Sequence, residues 1–414
     1  MKVSMKTSGL EQPAASSVVF VPDRGKDRFF VMRERLNSIG SLAARIWEKV
    51  WHEITNHLLL TVSLLAAVAT SFFHIPQWGY IDVKVIVCLF ELMLIVKALE
   101  EYGLLRYLAV RIASCCGDER QLTAALCMIA FFLSMFTTND VAVLTVIPIL
   151  IVIAGVCDFS AAFPCVLVTV AANLGSCMTP IGNPQNLYIF SFFRMTPASF
   201  FGYSAPLCVV SLLLLSASSL FIRPQKIQLM FDNVPVAERK KTAAFLLLAV
   251  PVIAGVMNFI PYLVTLMLIL PATVVLDRKV LRKPDYRLLL TFVFLFIAVG
   301  NVSHIPALKG QIAALAGSPI KTYVSSLLLS QIISNVPSAV MLAPFTGQIS
   351  ALFYGVNIGG LGTPIASLAS IIAFSLFCRA FAHKKIQFVR DFLVYNIGLC
   401  FVLGAAFAVV VIKS

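Results

Sequence analysis

From about residue 55 onward, apolar runs long enough to cross a bilayer follow one another with short polar joints between them. A spanning helix needs about 20 apolar residues. The runs at 56–74, 81–99, 163–193, 202–222, 242–258, 261–276, 287–304, 353–378 and 391–412 therefore predict nine spans. Two further stretches, 121–157 and 321–352, break this pattern. Each is interrupted near its middle by a polar, turn-forming cluster, Thr137-Thr138-Asn139-Asp140 in one and Ser334-Asn335-Val336-Pro337 in the other. A lone helix would not carry such clusters at mid-membrane, where backbone and side-chain polar groups find no water. Two half-length helices meeting at a tip would, so both stretches are predicted to be re-entrant hairpins. Upstream, Ile39, Leu42, Ile46 and Trp51 fall near one helical face and predict a helix lying on the membrane surface.

Composition agrees. The chain is 59% hydrophobic and 12% charged, against about a quarter charged in soluble domains. That excludes a soluble enzyme, a nucleic-acid binder and a disordered chain. The net charge of +13 follows from the excess of Lys and Arg on cytoplasmic loops. With residues 1–50 inside and nine spans plus two hairpins threaded, 26 of the 32 Lys and Arg fall in inside segments and four outside; Lys84 and Lys97 sit near span ends. Making either hairpin a full span would put the basic 223–241 or 379–390 loop outside. The expectation is a multi-pass protein of the cell (inner) membrane with its N-terminus cytoplasmic and its C-terminus outside. The ten cysteines are scattered without metal-binding spacing, and read as buried free thiols. No metal site is expected.

Five spans lie between the hairpins, so the hairpins open to opposite sides, as in an inverted repeat. The letters support this. Asn173, Gly175, Thr179, Pro180 and Ile181 recur in the same spacing as Asn357, Gly359, Thr363, Pro364 and Ile365. Gly-rich segments with a Pro unwind a membrane helix, because Pro removes a donor and clashes with the preceding turn. In each copy a new helix is expected to begin at once, at Asn183-Pro184 and at Thr363-Pro364, a capping residue followed by Pro at the first helical position. Helix N-termini bind anions and unwound carbonyls bind small cations. The fold class is thus an all-α polytopic membrane protein, an inverted repeat with two re-entrant hairpins and two broken helices. Its divisions are a tail at 1–54, a first repeat at 55–222, a linker at 223–241 and a second repeat at 242–414. Two carboxylates lie deep, Asp140 at the first tip and Glu91 in the second span. Buried membrane carboxylates are costly and usually functional, so both are candidate coupling groups.

These motifs resemble the ion transporter superfamily, which includes arsenite permeases, citrate–metal transporters, divalent anion:sodium symporters and one class of sodium/proton antiporter. The residues that carry the resemblance are Thr138-Asn139-Asp140-Val141-Ala142, Ala172 through Asn186, Ser334-Asn335-Val336-Pro337, and Asn357 through Ile365. It implies that the tips and unwound segments surround substrate and coupling ion. The site residues so implicated are Thr138, Asn139, Asp140, Asn173, Gly175, Thr179, Gly182, Asn183, Asn186, Ser334, Asn335, Asn357, Gly359, Gly360 and Thr363. It also implies a homodimer and an elevator-like movement. Where the dicarboxylate symporters carry Ser-Asn-Thr at both tips, this chain has Thr-Asn-Asp and Ser-Asn-Val. The expected function is secondary active transport of a small anion, an organic carboxylate or inorganic oxyanion, coupled to protons or sodium. The alternatives are a sodium/proton antiporter and an arsenite/antimonite exporter. With no GxSxG or HExxH motif, no enzymatic activity is expected. The partners are the anion, a coupling cation or proton and the lipid bilayer, with no cofactor beyond Na+ or H+ and no nucleic acid.

Overall fold

The computed structural model describes residues 58–227 and 238–413; the surface helix expected at 38–52 and most of the linker lie outside them. Among the described residues seventeen α-helices follow one another, with no strand. The first half holds α1 (Leu58–Ser71), α2 (Val83–Glu101), α3 (Leu104–Ala113), α4 (Glu119–Phe136), α5 (Asn139–Cys157), α6 (Ala162–Gly175), α7 (Pro184–Phe192) and α8 (Pro197–Ser219). The second holds α9 (Arg239–Val256), α10 (Tyr262–Asp277), α11 (Tyr286–Val302), α12 (Pro306–Leu315), α13 (Pro319–Ile333), α14 (Asn335–Leu342), α15 (Ile349–Gly359), α16 (Leu368–Ala380) and α17 (Lys385–Lys413).

Apolar sequence makes these helices and short polar residues start them. Asp82, Asp118, Thr138, Asn183, Thr196, Asp285 and Ser318 each accept a backbone N–H in the first turn of the helix that follows. Such caps satisfy donors that a helix cannot satisfy itself. The outer faces of α1, α8, α9, α10 and α17 expose large apolar side chains such as Leu65, Leu213, Leu247, Val275 and Phe401, which is how a bilayer-solvated surface differs from an aqueous one. α6 is the reverse: every residue except Phe163 is buried. In α7 and α15 burial is nearly as complete.

The two most extensive helix contacts among the described residues are α4 on α6 and α13 on α15. They are built alike. A Cβ on Gly175 of α6 would run into the backbone of Phe131 in α4, and one on Gly359 of α15 would stand 2.8 Å from Ser330 Cβ in α13. Only a residue without a side chain lets the helices approach this closely. α2 packs on α9, α10 and α11, and also on α7.

Both long spans at 163–193 and 353–378 are broken as expected, between α6 and α7 and between α15 and α16. The second break is longer than predicted. Thr363-Pro364 does not start a helix; Pro364–Ala366 form a 3-10 turn, Ser367 is extended at φ −143°, and α16 starts at Leu368. The Thr363 hydroxyl is spent elsewhere, on Gln331 O at 3.0 Å. The hairpins also differ from expectation. The arms of the first, α4 and α5, have 18 and 19 residues and are each long and apolar enough to cross a membrane; at 1.5 Å per residue they reach about 27 Å. They are not half-length, because the apolar sequence on both sides of Thr137-Thr138 runs on unbroken. The second hairpin is shorter, 15 residues in α13 and eight in α14. The stretches 100–120 and 305–320 fall between the predicted spans and hairpins, as connecting loops. Each instead contains a ten-residue helix, α3 and α12, just before a hairpin. The cysteines are all free, but only five of the ten are buried; Cys115 is exposed and Cys116, Cys157, Cys378 and Cys400 are partly exposed.

Candidate substrate site

The two hairpin tips and the two breaks meet. A cavity of about 20 Å³ is lined by Asn139 and Asp140 of α5, Pro184 and Gln185 of α7, Ser334 through Pro337 around the start of α14, and Ser367 and Leu368 at the start of α16. Four helices thus begin at one point. Leu59 of α1 and Leu288 and Thr291 of α11 close the wall. Unpaired N–H groups and the macrodipole give each N-terminus about half a positive charge, so the pocket attracts anions. Against this field stands one carboxylate, Asp140. Its Oδ1 is buried without a hydrogen-bond partner. Thr138, not Asp140, caps α5, accepting from Val141 N at 3.4 Å.

Around the cavity the two halves hold each other in matching bonds. Asn173 and Asn357 are 184 positions apart, as are Asn183 and Ser367, and Asn186 and Ser370. Asn357 Nδ2 donates to Asn186 Oδ1 at 2.8 Å, and Asn357 Oδ1 accepts from Asn183 Nδ2 at 3.4 Å. Asn173 does the same with the other half: its Nδ2 donates to Ser370 Oγ at 3.4 Å and its Oδ1 accepts from Ser367 Oγ at 2.9 Å. The tips are pinned alike. Asn139 N donates to Gly182 O at 3.2 Å, while Ser334 Oγ donates to Ala366 O, 184 positions on, at 3.3 Å. The Thr179 hydroxyl donates to Met135 O at 2.5 Å, and that of Thr363 to Gln331 O at 3.0 Å. Helices also cross over: α5 packs on α16, and α14 on α7.

The expected residues therefore divide. Asn139, Asp140, Ser334 and Asn335 line the cavity. Asn173, Asn183, Asn186 and Asn357 form the buried amide network beside it, and Thr138, Thr179 and Thr363 fasten the backbone. Gly175 and Gly359 serve helix contact, Gly182 accepts from the first tip, and Gly360 abuts the Asn335 amide. Glu91 is not at the cavity. It is fully buried between α2 and α10, where Thr265 Oγ1 donates to its Oε2 at 3.1 Å. Lys97, six residues further along α2, pairs with Glu100 at 2.7 Å.

The chain resembles known transporters. The family model described as citrate transporter matches residues 42–351. The chain belongs to the citrate transporter family. It is 32% identical to an uncharacterized transporter of Methanocaldococcus jannaschii over 307 residues, 73% of this chain and 82% of that one. It is 31% identical to the inner membrane protein YbiR of Escherichia coli, over 75% of this chain and 85% of the relative. A silicon efflux transporter, LSI3, of Oryza sativa subsp. japonica is 30% identical over 131 residues, 31% of this chain and 27% of its own. Among solved structures, the YdaH transporter of Alcanivorax borkumensis shares the fold with a TM-score of 0.52 at 14% identity, covering 80% of this chain and 85% of that one. The chain is a multi-pass membrane transporter, not an enzyme.

For this family member, sequence reasoning missed Gln185, Ser367, Ser370, Gln331 and Thr291 as individual site residues. Gln331 had a signal: it is an amide in an apolar arm, four residues before the tip Asn335. Thr291 had none, since a lone Thr in a span is ordinary.

Proposed function

We propose that this protein is a secondary active transporter for a small anion, an inorganic oxyanion or organic carboxylate, coupled to protons or sodium. The observation that carries the reading is the convergence of four helix N-termini on one cavity formed by both halves. Fixed donors and dipoles of one sign in a water-poor site favour an anion. The family's description and the silicon efflux relative support an anionic or oxyanionic substrate. Room of about 20 Å³ holds about one water, so a polyatomic anion enters only when the tips part. That fits alternating access, with the tip-bearing helices moving against α1, α2, α9, α10 and α11 as an elevator within a homodimer. The matching bonds support an inverted repeat, with 55–222 and 242–414 as its halves and hairpins open to opposite sides; the Lys and Arg distribution supports a cytoplasmic N-terminus and an outside C-terminus. Asp140 is the coupling group: it lines the cavity with one carboxylate oxygen buried and unpartnered, and Val336 stands at the matching place in the second tip. Glu91 also has one buried, unpartnered oxygen, Oε1, but does not line the cavity, so the coupling role is assigned to Asp140.

A second reading, sodium/proton antiport, rests on the same bare carboxylate acting as a cation ligand. Uptake by proteoliposomes separates the two. Citrate, phosphate, silicate and arsenite are offered with an imposed proton or sodium gradient. Gradient-driven accumulation of one anion is expected. Sodium-dependent proton flux with no anion moved would make the antiporter the correct reading.

A further inference from the structure

Carbonyls released by an unwound membrane helix are ligands for small cations. In the second half, several such carbonyls already face a donor. Gln331 Nε2 donates to Gly359 O at 2.8 Å and Leu361 O at 2.9 Å, with Leu327 O a third neighbour at 3.3 Å. On the other side of the amide, Oε1 accepts from Thr363 N at 2.9 Å. The amide has one consistent orientation. Reversed, its oxygen would face three carbonyl oxygens and its NH2 a backbone N–H. The chain wraps tightly around it. Gly362 has φ +99°, and a Cβ there would strike the Gln331 amide oxygen. The side chain thus occupies the centre of a carbonyl cage, presenting partial positive charge where a cation would present a full one.

The first half has the same frame without this group. The position 196 residues before Gln331 is Met135, just as Asn139 lies 196 before Asn335. Met135 O is held by Thr179 as Gln331 O is held by Thr363, so the two residues occupy matching places. A thioether donates nothing. Asp140, with its unpartnered oxygen, adds a negative charge to that half alone.

We infer that Gln331 is a tethered stand-in for a coupling cation in the second half. Its amide fills a carbonyl cage that would otherwise take Na+, leaving cation coupling to the first half. The inference rests on the transport reading for the word coupling; the cage itself can be tested without it. Gln331→Glu keeps the shape but turns the donor into an oxygen, and Gln331→Ala removes it. Purified wild-type protein and both variants are compared in sodium chloride and in N-methylglucamine chloride of equal ionic strength, by equilibrium 22Na+ binding and by thermal melting. Each variant is expected to bind one Na+ more per chain than wild type. Sodium is expected to raise its melting temperature by about 3 °C more than it raises that of wild type. Unchanged Na+ stoichiometry in both variants overturns the inference. So does loss of a Na+ that wild type binds, which would make Gln331 a ligand rather than a substitute. Two variants that stay unfolded even in sodium also overturn it, since Na+ would then be unable to take the amide's place. If the variants gain Na+ while wild type moves no anion, the cage stands and the anion transport reading fails.

Discussion

The two halves of the membrane domain use one frame and fasten it with different chemistry. In the first half, the segment between α6 and α7 is tied by its own amides: Asn183 Nδ2 donates to Ser176 Oγ at 2.9 Å and Asn186 Nδ2 to Cys177 O at 3.3 Å. In the second, the segment between α15 and α16 is tied from outside, by Gln331 in the hairpin arm. The tips differ too. Thr137 and Thr138 lie at negative φ, whereas Ser334 is held at φ +78°, a region costly for a residue with a Cβ. Asp140 has Val336 as its counterpart. The bonding frame recurs in both halves, while the buried tip carboxylate, Asp140, stands in the first half alone.

This contrast can be broken in several places. The largest effect is expected at the unmatched acid. Asp140→Asn should abolish gradient-driven accumulation in proteoliposomes while anion exchange across the membrane continues, because exchange needs no net movement of the coupling ion. Loss of both activities with the protein still folded would assign Asp140 to substrate binding instead.

The glycine contacts should respond unequally. Gly175→Ala drives a methyl into Phe131 backbone, which cannot yield, so a destabilisation of about 3 kcal/mol is expected. Gly359→Ala meets Ser330 Cβ at 2.8 Å and Leu327 Cα at 3.1 Å, a looser clash than the 2.1 Å approach at Gly175 and one that a small helix shift relieves, and should cost about 1–2 kcal/mol. Melting temperatures of the purified variants give the order, and equal losses would mean that the two helix pairs are not as differently packed as their neighbours imply.

A smaller difference is expected in the crossing network. Asn357→Ala strands the amides of Asn183 and Asn186, and should cost about 2 kcal/mol. Asn173→Ala leaves two hydroxyls, which rotate to other acceptors, and one amide, that of Asn139, which loses its 2.9 Å bond but keeps Ser367 Oγ at 3.5 Å, and should cost about 1 kcal/mol. The smallest changes should have opposite signs. Ser334→Gly relieves a positive φ and should stabilise by about 0.5–1 kcal/mol, while Thr138→Ala removes a cap and should destabilise by a similar amount. Destabilisation by Ser334→Gly would show that its bond to Ala366 O outweighs the strain.

Much of this fold was legible because a bilayer enforces simple rules. Asn139 and Asn335 stood out as polar residues in the middle of apolar sequence, and the Asn-Gly-Thr-Pro-Ile spacing marked both breaks. Less was legible where residues act through partners far away in sequence. Nothing near Asn183 announces that it bonds Asn357, and Thr291 reaches the cavity wall only because α11 packs there. The helix α3 carried a signal that the charge count passed over: Leu105, Ala109, Val110 and Ala113, all buried, share one helical face. In α12 no residue is buried, so it had no such stripe to show. Thr363-Pro364 misled because its local pattern is that of a helix start; the long-range bond to Gln331 prevailed.

The central claim is that both tips build one anion site. It is tested most directly by binding of the transported anion, radiolabelled, to purified wild-type, Asn139→Ala and Asn335→Ala proteins at fixed pH and salt. Loss of a hydrogen-bonding group beside an ion is worth about ten- to a hundredfold in affinity, so both variants should weaken binding by that range while remaining folded. Wild-type affinity in either one would contradict a site shared by the two halves.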